Sequence, residues 1–308
     1  HSINNLYPVL DYLHVPLKYI VTQSAETSRV INKSNKFAPA TCDYNIALND
    51  PEIEGIFISA SPKSHYSLVV KAIEHNKKVF VEKPPCYTID ELQTLIELQK
   101  QYKKEVLVGF QKRYAPAYTI LKQKISDVSH YSIKYCTGAY PEGNVLMDLF
   151  IHPIDIACHL FGECEIKSVI NIGSGTKLIH LIHNNGIAGT LELSTAYSWQ
   201  TSVEQLTVVS KKGIYKLNST ADLQYESKPQ TVNKIPLEKI LKFVPETKIL
   251  FNHNNFIPTM YHNNIYVNGY YSEIENFVNL CEGTGGKNKS DLISLLSIYK
   301  ILDTLAKA

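Results

Sequence analysis

Residues 79–85, Val-Phe-Val-Glu-Lys-Pro-Pro, set a carboxylate and an ammonium side by side just after a short apolar run. β-Branched and aromatic residues closed by prolines predict a buried strand that feeds a loop. Open α/β sheets bind ligands at the carboxyl ends of parallel strands. Glu82 and Lys83 therefore stand where a ligand would be met. Pro84 fixes its own φ, donates no hydrogen bond and restricts the Lys83 backbone. A solvated turn with charges before prolines is the plainer alternative. Asp148 and His152 form a second pair. Residues four apart share one face of a helix. A carboxylate and an imidazole on one face can hold a polyol and remove a proton from it. The alternative there is an aspartate in a first turn and a core histidine.

The elements that must position these groups follow from periodicity. Apolar runs at 17–21, 55–59, 79–81 and 106–110 predict strands. Between them, 24–36, 45–48, 65–75 and 88–102 predict helices, with 116–124 after the last strand and a further helix at 2–14. Thr88 and Glu91 have the spacing of a capping box. Strand–helix alternation with short connections implies a doubly wound parallel sheet. After about residue 127 the pattern changes. Residues 130–136 alternate, 144–161 are helical, and 165–218 read as successive strands with hairpin signals at Asn184-Asn185-Gly186 and Lys211-Lys212-Gly213. Residues 219–268 carry no clear pattern, and 270–280 and 290–305 predict two closing helices. The fold class is α/β: a Rossmann-like domain over 1–126, then an α+β domain over 127–308 with a mostly antiparallel sheet. The C-terminal helix is expected to pack back on the first domain.

Composition excludes several classes. A formal net charge of +2 over 308 residues gives no electrostatic case for nucleic acid. No apolar stretch approaches membrane-spanning length, and the first residues lack the form of a signal peptide. Six scattered cysteines fit free thiols in a reducing compartment, so a cytoplasmic protein is expected. Cys158, His159 and Cys164 match no common zinc spacing, and His180 and His183 fall on opposite faces of a strand. No metal is expected.

In order, Ile58-Ser-Ala-Ser-Pro-Lys-Ser-His65, Glu82-Lys83-Pro84, 108–118 (VGFQKRYAPAY) and Asp148-x-x-x-His152-x-x-Asp155 are similar to the segments that mark the Gfo/Idh/MocA family. Glu-Lys-Pro alone is a weak signal, whereas the succession is a specific one. The chain thus resembles this family of NAD(P)-dependent oxidoreductases along nearly its whole length.

The resemblance implies hydride transfer between a nicotinamide cofactor and a secondary alcohol or ketone of a sugar, sugar derivative, nucleotide sugar or cyclitol. It implies Lys83 as the group that polarises the reacting oxygen, with a Lys-Pro peptide that is often cis. His152 is implied as acid or base, with Asp148 beside it. Arg113, Tyr114 and Asp155 are implied as further substrate contacts. Cofactor contacts are implied at Thr22, Gln23, Ser24, Arg29, Ser59, Ala60, Ser61, His65, Glu82, Lys83 and Gln111. A homo-oligomer formed through the open sheet face is also implied. A non-catalytic sensor on the same fold is the alternative function.

Two departures stand out. The family's Gly-x-Gly-x-x-Gly loop would end where this chain begins, at His1-Ser2, so a longer natural chain is expected, a loss of cofactor binding being the alternative. At the end of the second strand, Thr22-Gln23-Ser24 replaces the usual carboxylate, with Arg29 nearby. Nothing there repels a 2′-phosphate, which leans toward NADP.

Overall fold

Where an apolar run is buried on both faces, it forms a strand without alternation. Val79, Phe80 and Val81 are fully buried and form the centre of β4 (Lys78–Glu82). In this computed structural model, which describes residues 2–34, 38–228, 231–242 and 246–308, β4 lies between β3 (Gly55–Ile58) and β5 (Val106–Gly109) in a parallel sheet. The crossovers are α4 (Pro62–Glu74) and α5 (Ile89–Tyr102). The capping box at Thr88 and Glu91 is formed, and it fixes the start of α5. A second parallel pair, β1 (Ile20–Val21) and β2 (Ala40–Thr41), is joined by α2 (Ala25–Ser34).

The expected strand at 17–21 is thus cut to two residues. Lys18 is held by Asp50 and Glu52, and Tyr19 donates to Asp50, while β2 offers only two residues to pair with. β2 itself was not anticipated, because Ala40-Thr41 carries no apolar run. The helix expected at 24–36 ends at Ser34, and residues 35–37 and His1 lie outside the described residues. At the start, Ser2–Leu6 forms a π-turn ahead of α1 (Tyr7–Tyr12), whose second residue is Pro8. α3 (Tyr44–Asn49) is capped by Asp43.

Between β1 and β3 lies a cleft of about 480 Å³, lined by Tyr19, Ile20 and Val21 on one side and by residues 55–58 on the other. No strand of the described residues pairs with either of these two edges. The same unit takes in α9 (Tyr270–Glu282). Phe277 from α9 meets Phe57 and Phe80 at centroid distances of 4.9 and 5.9 Å. Lys78 Nζ donates to the Cys281 carbonyl at 2.9 Å, placing a cation at the carboxyl end of that helix.

The second unit is built on an eight-stranded sheet in the order β15-β12-β11-β10-β6-β9-β8-β7. Its strands are β6 (Val128–Cys136), β7 (Cys164–Ile172), β8 (Thr176–His183), β9 (Ala188–Ser194), β10 (Val203–Ser210), β11 (Gly213–Asn218), β12 (Asp222–Ser227) and β15 (Thr247–Asn252). Only β6 and β9 pair in parallel. A small ribbon, β13 (Thr231–Val232) with β14 (Ile235–Pro236), precedes β15. The expectation of an unpatterned 219–268 is corrected by β12 and β15, although 229–230 and 243–245 lie outside the described residues. Both strands are six residues long; β12 has no apolar run, and that of β15 is only the three residues Ile249-Leu250-Phe251. The helices are α6 (Pro116–Lys124), α7 (Ile151–Phe161), α8 (Asn264–Val267) and α10 (Leu296–Lys307).

Contacts divide the chain into 1–110 with 270–296, and 111–269 with 297–308. The division falls earlier than residue 126, and the segment that returns to the first unit is α9 rather than the terminal helix.

Candidate active site

In the first unit the candidate groups collect at the carboxyl ends of the parallel strands. Lys83 and Pro84 follow β4 directly, and the peptide between them is cis. His65, on the first turn of α4, is 1% exposed. Its Nδ1 lies 2.8 Å from the Pro84 carbonyl oxygen and its Nε2 lies 3.1 Å from that of Ala60. One imidazole therefore ties the loop after β3 to the turn after β4. A neutral ring can donate to only one of these carbonyls. Ser59 closes this edge by accepting from the Ser2 hydroxyl at 2.9 Å, and Ser61 immediately precedes α4.

Glu82 ends β4 with its carboxylate across Gly109 of β5, where a Cβ would sit 2.9 Å from Oε2. Burial pushes this carboxyl up to about 7, against the pull of Lys83 and His65. Tyr270 is raised above the ordinary phenol range by burial and then by the nearby Glu82 charge.

Thr22, Gln23 and Ser24 lead from β1 into α2. The Thr22 hydroxyl donates to the Ser24 carbonyl at 2.9 Å and meets the Ser28 hydroxyl at 2.6 Å. Ser24 Oγ accepts from the Thr27 amide at 3.1 Å, so part of this hydroxyl set caps the helix. Gln23 and Arg29 are exposed.

In the second unit the Asp148 segment has an unexpected geometry. Residues Leu146–Phe150 form a π-turn that runs into α7. Such turns are rare and recur at functional sites. The i,i+4 rule for a shared face assumes regular α geometry, and the π-turn interrupts it. Asp148 Oδ2 accepts from the Asn144 amide at 2.8 Å, while Asn144 Oδ1 accepts from the amides of Leu146 and Met147. Asn144 is thus the cap that organises the turn. A cap-type residue just before the apolar positions was the available signal. His152 is half-buried in the first turn of α7.

Arg113, Tyr114 and Asp155 sit in the core rather than on a ligand-facing surface, at 2%, 2% and 1% exposure. Arg113 donates through Nε at 2.8 Å and Nη2 at 2.5 Å to Asp155 Oδ1. Burial pushes the Asp155 carboxyl up while the guanidinium pulls the other way. The pair joins the 3₁₀ turn Gln111–Tyr114 to α7. The neighbouring Lys112 ties the same turn to β10 through Glu204 at 2.6 Å. Burial lowers the Lys112 ammonium, but Glu204 and Tyr135 outweigh it and the net direction is up. Glu204 also accepts from the Tyr118 hydroxyl at 3.0 Å. Sequence reasoning missed this anchor, because Lys112 and Glu204 are far apart in the chain. Gln111 opens the turn, and a Cβ on Gly269 would lie 2.0 Å from its carbonyl oxygen. Gly269, at φ +94, is the residue that permits that approach. Among the described residues no group of three His, Cys, Asp or Glu side chains is arranged to hold a metal ion. No helix of these residues is long and apolar enough to cross a membrane.

Residues 9–110 match the family model described as "Oxidoreductase family, NAD-binding Rossmann fold". Over 259 residues the chain is 25% identical to the "Uncharacterized oxidoreductase YrbE" of Bacillus subtilis (strain 168), across 75% of this chain and 73% of that protein. Over 138 residues it is 32% identical to "scyllo-inositol 2-dehydrogenase (NAD(+))" of the same organism, across 41% of this chain and 40% of that protein. The crystal structure of a dehydrogenase from Chromobacterium violaceum has the same fold, with a TM-score of 0.81 at 18% identity, covering 99% of this chain and 91% of that one. The family match, the relatives and the strand-end Glu-Lys-Pro turn agree, and residues 9–110 form an NAD-binding Rossmann domain of the Gfo/Idh/MocA oxidoreductase family.

Proposed function

We propose that the protein moves a hydride between a nicotinamide dinucleotide and a secondary alcohol or ketone on a sugar, sugar derivative, nucleotide sugar or cyclitol. The observation that carries this reading is Lys83, set at the carboxyl end of the central strand in a turn that His65 holds by the Pro84 carbonyl. Support for the substrate class comes from the relative named for scyllo-inositol.

The residues present fit the two ends of such a cofactor. Thr22, Gln23 and Ser24 offer neutral donors and acceptors to a ribose, and Arg29 is exposed on the helix that follows. With no carboxylate at 22–24, a 2′-phosphate meets no like charge, which favours NADP. Ser59, Ala60, Ser61, His65, Glu82 and Gln111 complete the proposed contacts. When bound, the cofactor supplies the hydride acceptor or donor.

The chain's own groups supply the rest. Lys83 donates a hydrogen bond to the reacting oxygen. His152 takes the hydroxyl proton during oxidation and returns it during reduction. Asp148 orients the substrate from a turn fixed by Asn144. Arg113 and Asp155 position α7 by pairing with each other. Self-association through the open face of the eight-stranded sheet is part of the same proposal.

The test is a screen of sugars, sugar acids, nucleotide sugars and inositols by nicotinamide absorbance, followed by His152→Asn on the substrate found. Turnover is expected to fall by roughly two to four orders of magnitude, with cofactor affinity nearly unchanged. Near-normal turnover would make His152 a core residue and leave Lys83 as the proton-handling group. Cofactor binding with no turnover of any compound would favour the sensor.

A further inference from the structure

The six cysteines are all free, and one pair stands apart from the others. Cys158 lies in the last turn of α7 and Cys164 is the first residue of β7. Their sulfurs are 4.0 Å apart, and each side chain is half-buried. We propose that Cys158 and Cys164 form a reversible dithiol–disulfide site that is oxidised by hydroperoxides.

The connection between them is braced. His183 Nδ1 donates to the Gly162 carbonyl at 2.8 Å, while its Nε2 accepts from the Tyr131 hydroxyl at 2.8 Å. Burial lowers the His183 imidazole, which favours the neutral ring that this arrangement needs. Tyr131 stacks on Phe161 at 4.1 Å. The Asn184 amide donates to the Glu163 carbonyl, and Asn185 Nδ2 donates to that of Phe161, each at 3.0 Å. Backbone and rings are therefore fixed on both sides of the pair, with the two sulfurs already 4.0 Å apart. Gly162, at φ +90, makes the sharp exit from α7, and nothing lies within 4 Å of where its Cβ would be. Gly162 and Glu163 are exposed, which leaves a path for a small oxidant.

The chemistry within the pair is asymmetric. The Cys158 thiol also reaches the Ser297 hydroxyl at 3.9 Å. Its hydrogen bond to Cys164, with burial, raises Cys158 well above the ordinary thiol range, and the same bond lowers Cys164. Cys164, the first residue of β7 and the neighbour of the exposed Glu163, is the sulfur nearer the path of a small oxidant, and it is assigned as the attacking thiolate. Elsewhere, burial pushes Cys281 up to about 11 and also raises Cys136.

The step balances as follows. The Cys164 thiolate attacks the peroxide oxygen, the O–O bond breaks, and the departing hydroxide takes a proton to become water. Cys164 is now a sulfenic acid. Cys158 loses its proton and attacks the Cys164 sulfur, the S–O bond breaks, and the second oxygen leaves as water. Two thiols are oxidised, one peroxide is reduced, and two waters form. A dithiol such as dithiothreitol reverses the bond by exchange.

The experiment treats the full chain with one equivalent of hydrogen peroxide, alkylates the remaining thiols and digests with trypsin and a glutamate-specific protease. Cleavage at Glu142, Glu163 and Glu165 puts Cys158 on 143–163, Cys164 on 164–165, and Cys136 on a separate peptide. The expected product is 143–163 joined to 164–165, lost on dithiothreitol treatment. Cys164 should be consumed at least about tenfold faster than Cys281. In Cys158→Ser, dimedone should label Cys164; in Cys164→Ser, Cys158 should remain a thiol at the same dose. The proposal is overturned if both sulfurs are alkylated while Cys42 is oxidised, or if either cysteine joins a different partner. The wild-type map decides this even if a variant fails to fold, and it needs neither cofactor nor substrate.

Discussion

His65 Nδ1 lies 2.8 Å from the carbonyl oxygen of Pro84, so a helix residue holds the turn that carries Lys83. The same ring reaches Ala60. His65→Ala should leave one of the two carbonyls short of its donor in the interior and destabilise the fold by roughly 1–3 kcal/mol. The midpoint of urea unfolding reads this, with His65→Asn, which keeps a donor, expected to fall between alanine and wild type. An unchanged midpoint for His65→Ala would show that the turn holds itself.

The Arg113–Asp155 pair makes a sharper prediction, because both side chains are almost completely buried. Removing one partner takes the buried ion pair apart in the interior and costs about 3–5 kcal/mol. Arg113→Met and Asp155→Leu should each be severely destabilised, whereas the double variant should recover most of the loss. A double variant as unstable as the two singles combined would indicate that the pair matters through its geometry rather than its charge.

Glu82 predicts a pH dependence of stability. Its folded pKa, about 7, lies above the unfolded value of 4.5. Between these values the folded state binds the extra proton, so stability falls as pH rises through this window and levels off above 7. The full effect is at most about 3 kcal/mol at 1.36 kcal/mol per unit. Urea midpoints from pH 5 to 8 should decline for the wild type and stay flatter for Glu82→Gln. Parallel curves would place the titration elsewhere.

The sequence carried more of the fold than of the site. Val79-Phe80-Val81 is apolar on both faces, and only a central parallel strand needs that, so the first sheet was readable. β15 was not, because its partner β12 supplies the context that makes it a strand. At the candidate site, spacing singled out Lys83 and His152. It did not pair Arg113 with Asp155, since 42 residues separate them and only folding brings the two charges together. It also missed the π-turn, because no residue type announces a hydrogen-bond slip from i+4 to i+5.

The cleft beside β1 has a consequence for the motion of protons between backbone and solvent. The amides of Ile20 and Thr22 donate to Pro39 and Thr41, and Lys78 donates to Glu54. By the alternation of a parallel strand, Val21, Gly55 and Phe57 turn their amides the other way, toward the cleft. In heavy water these three should take up deuterium as loop amides do, while Ile20, Ile56 and Phe80 stay protected. Each edge strand then exchanges in alternate residues, fast and slow by turns, although the chain along it is uniformly extended.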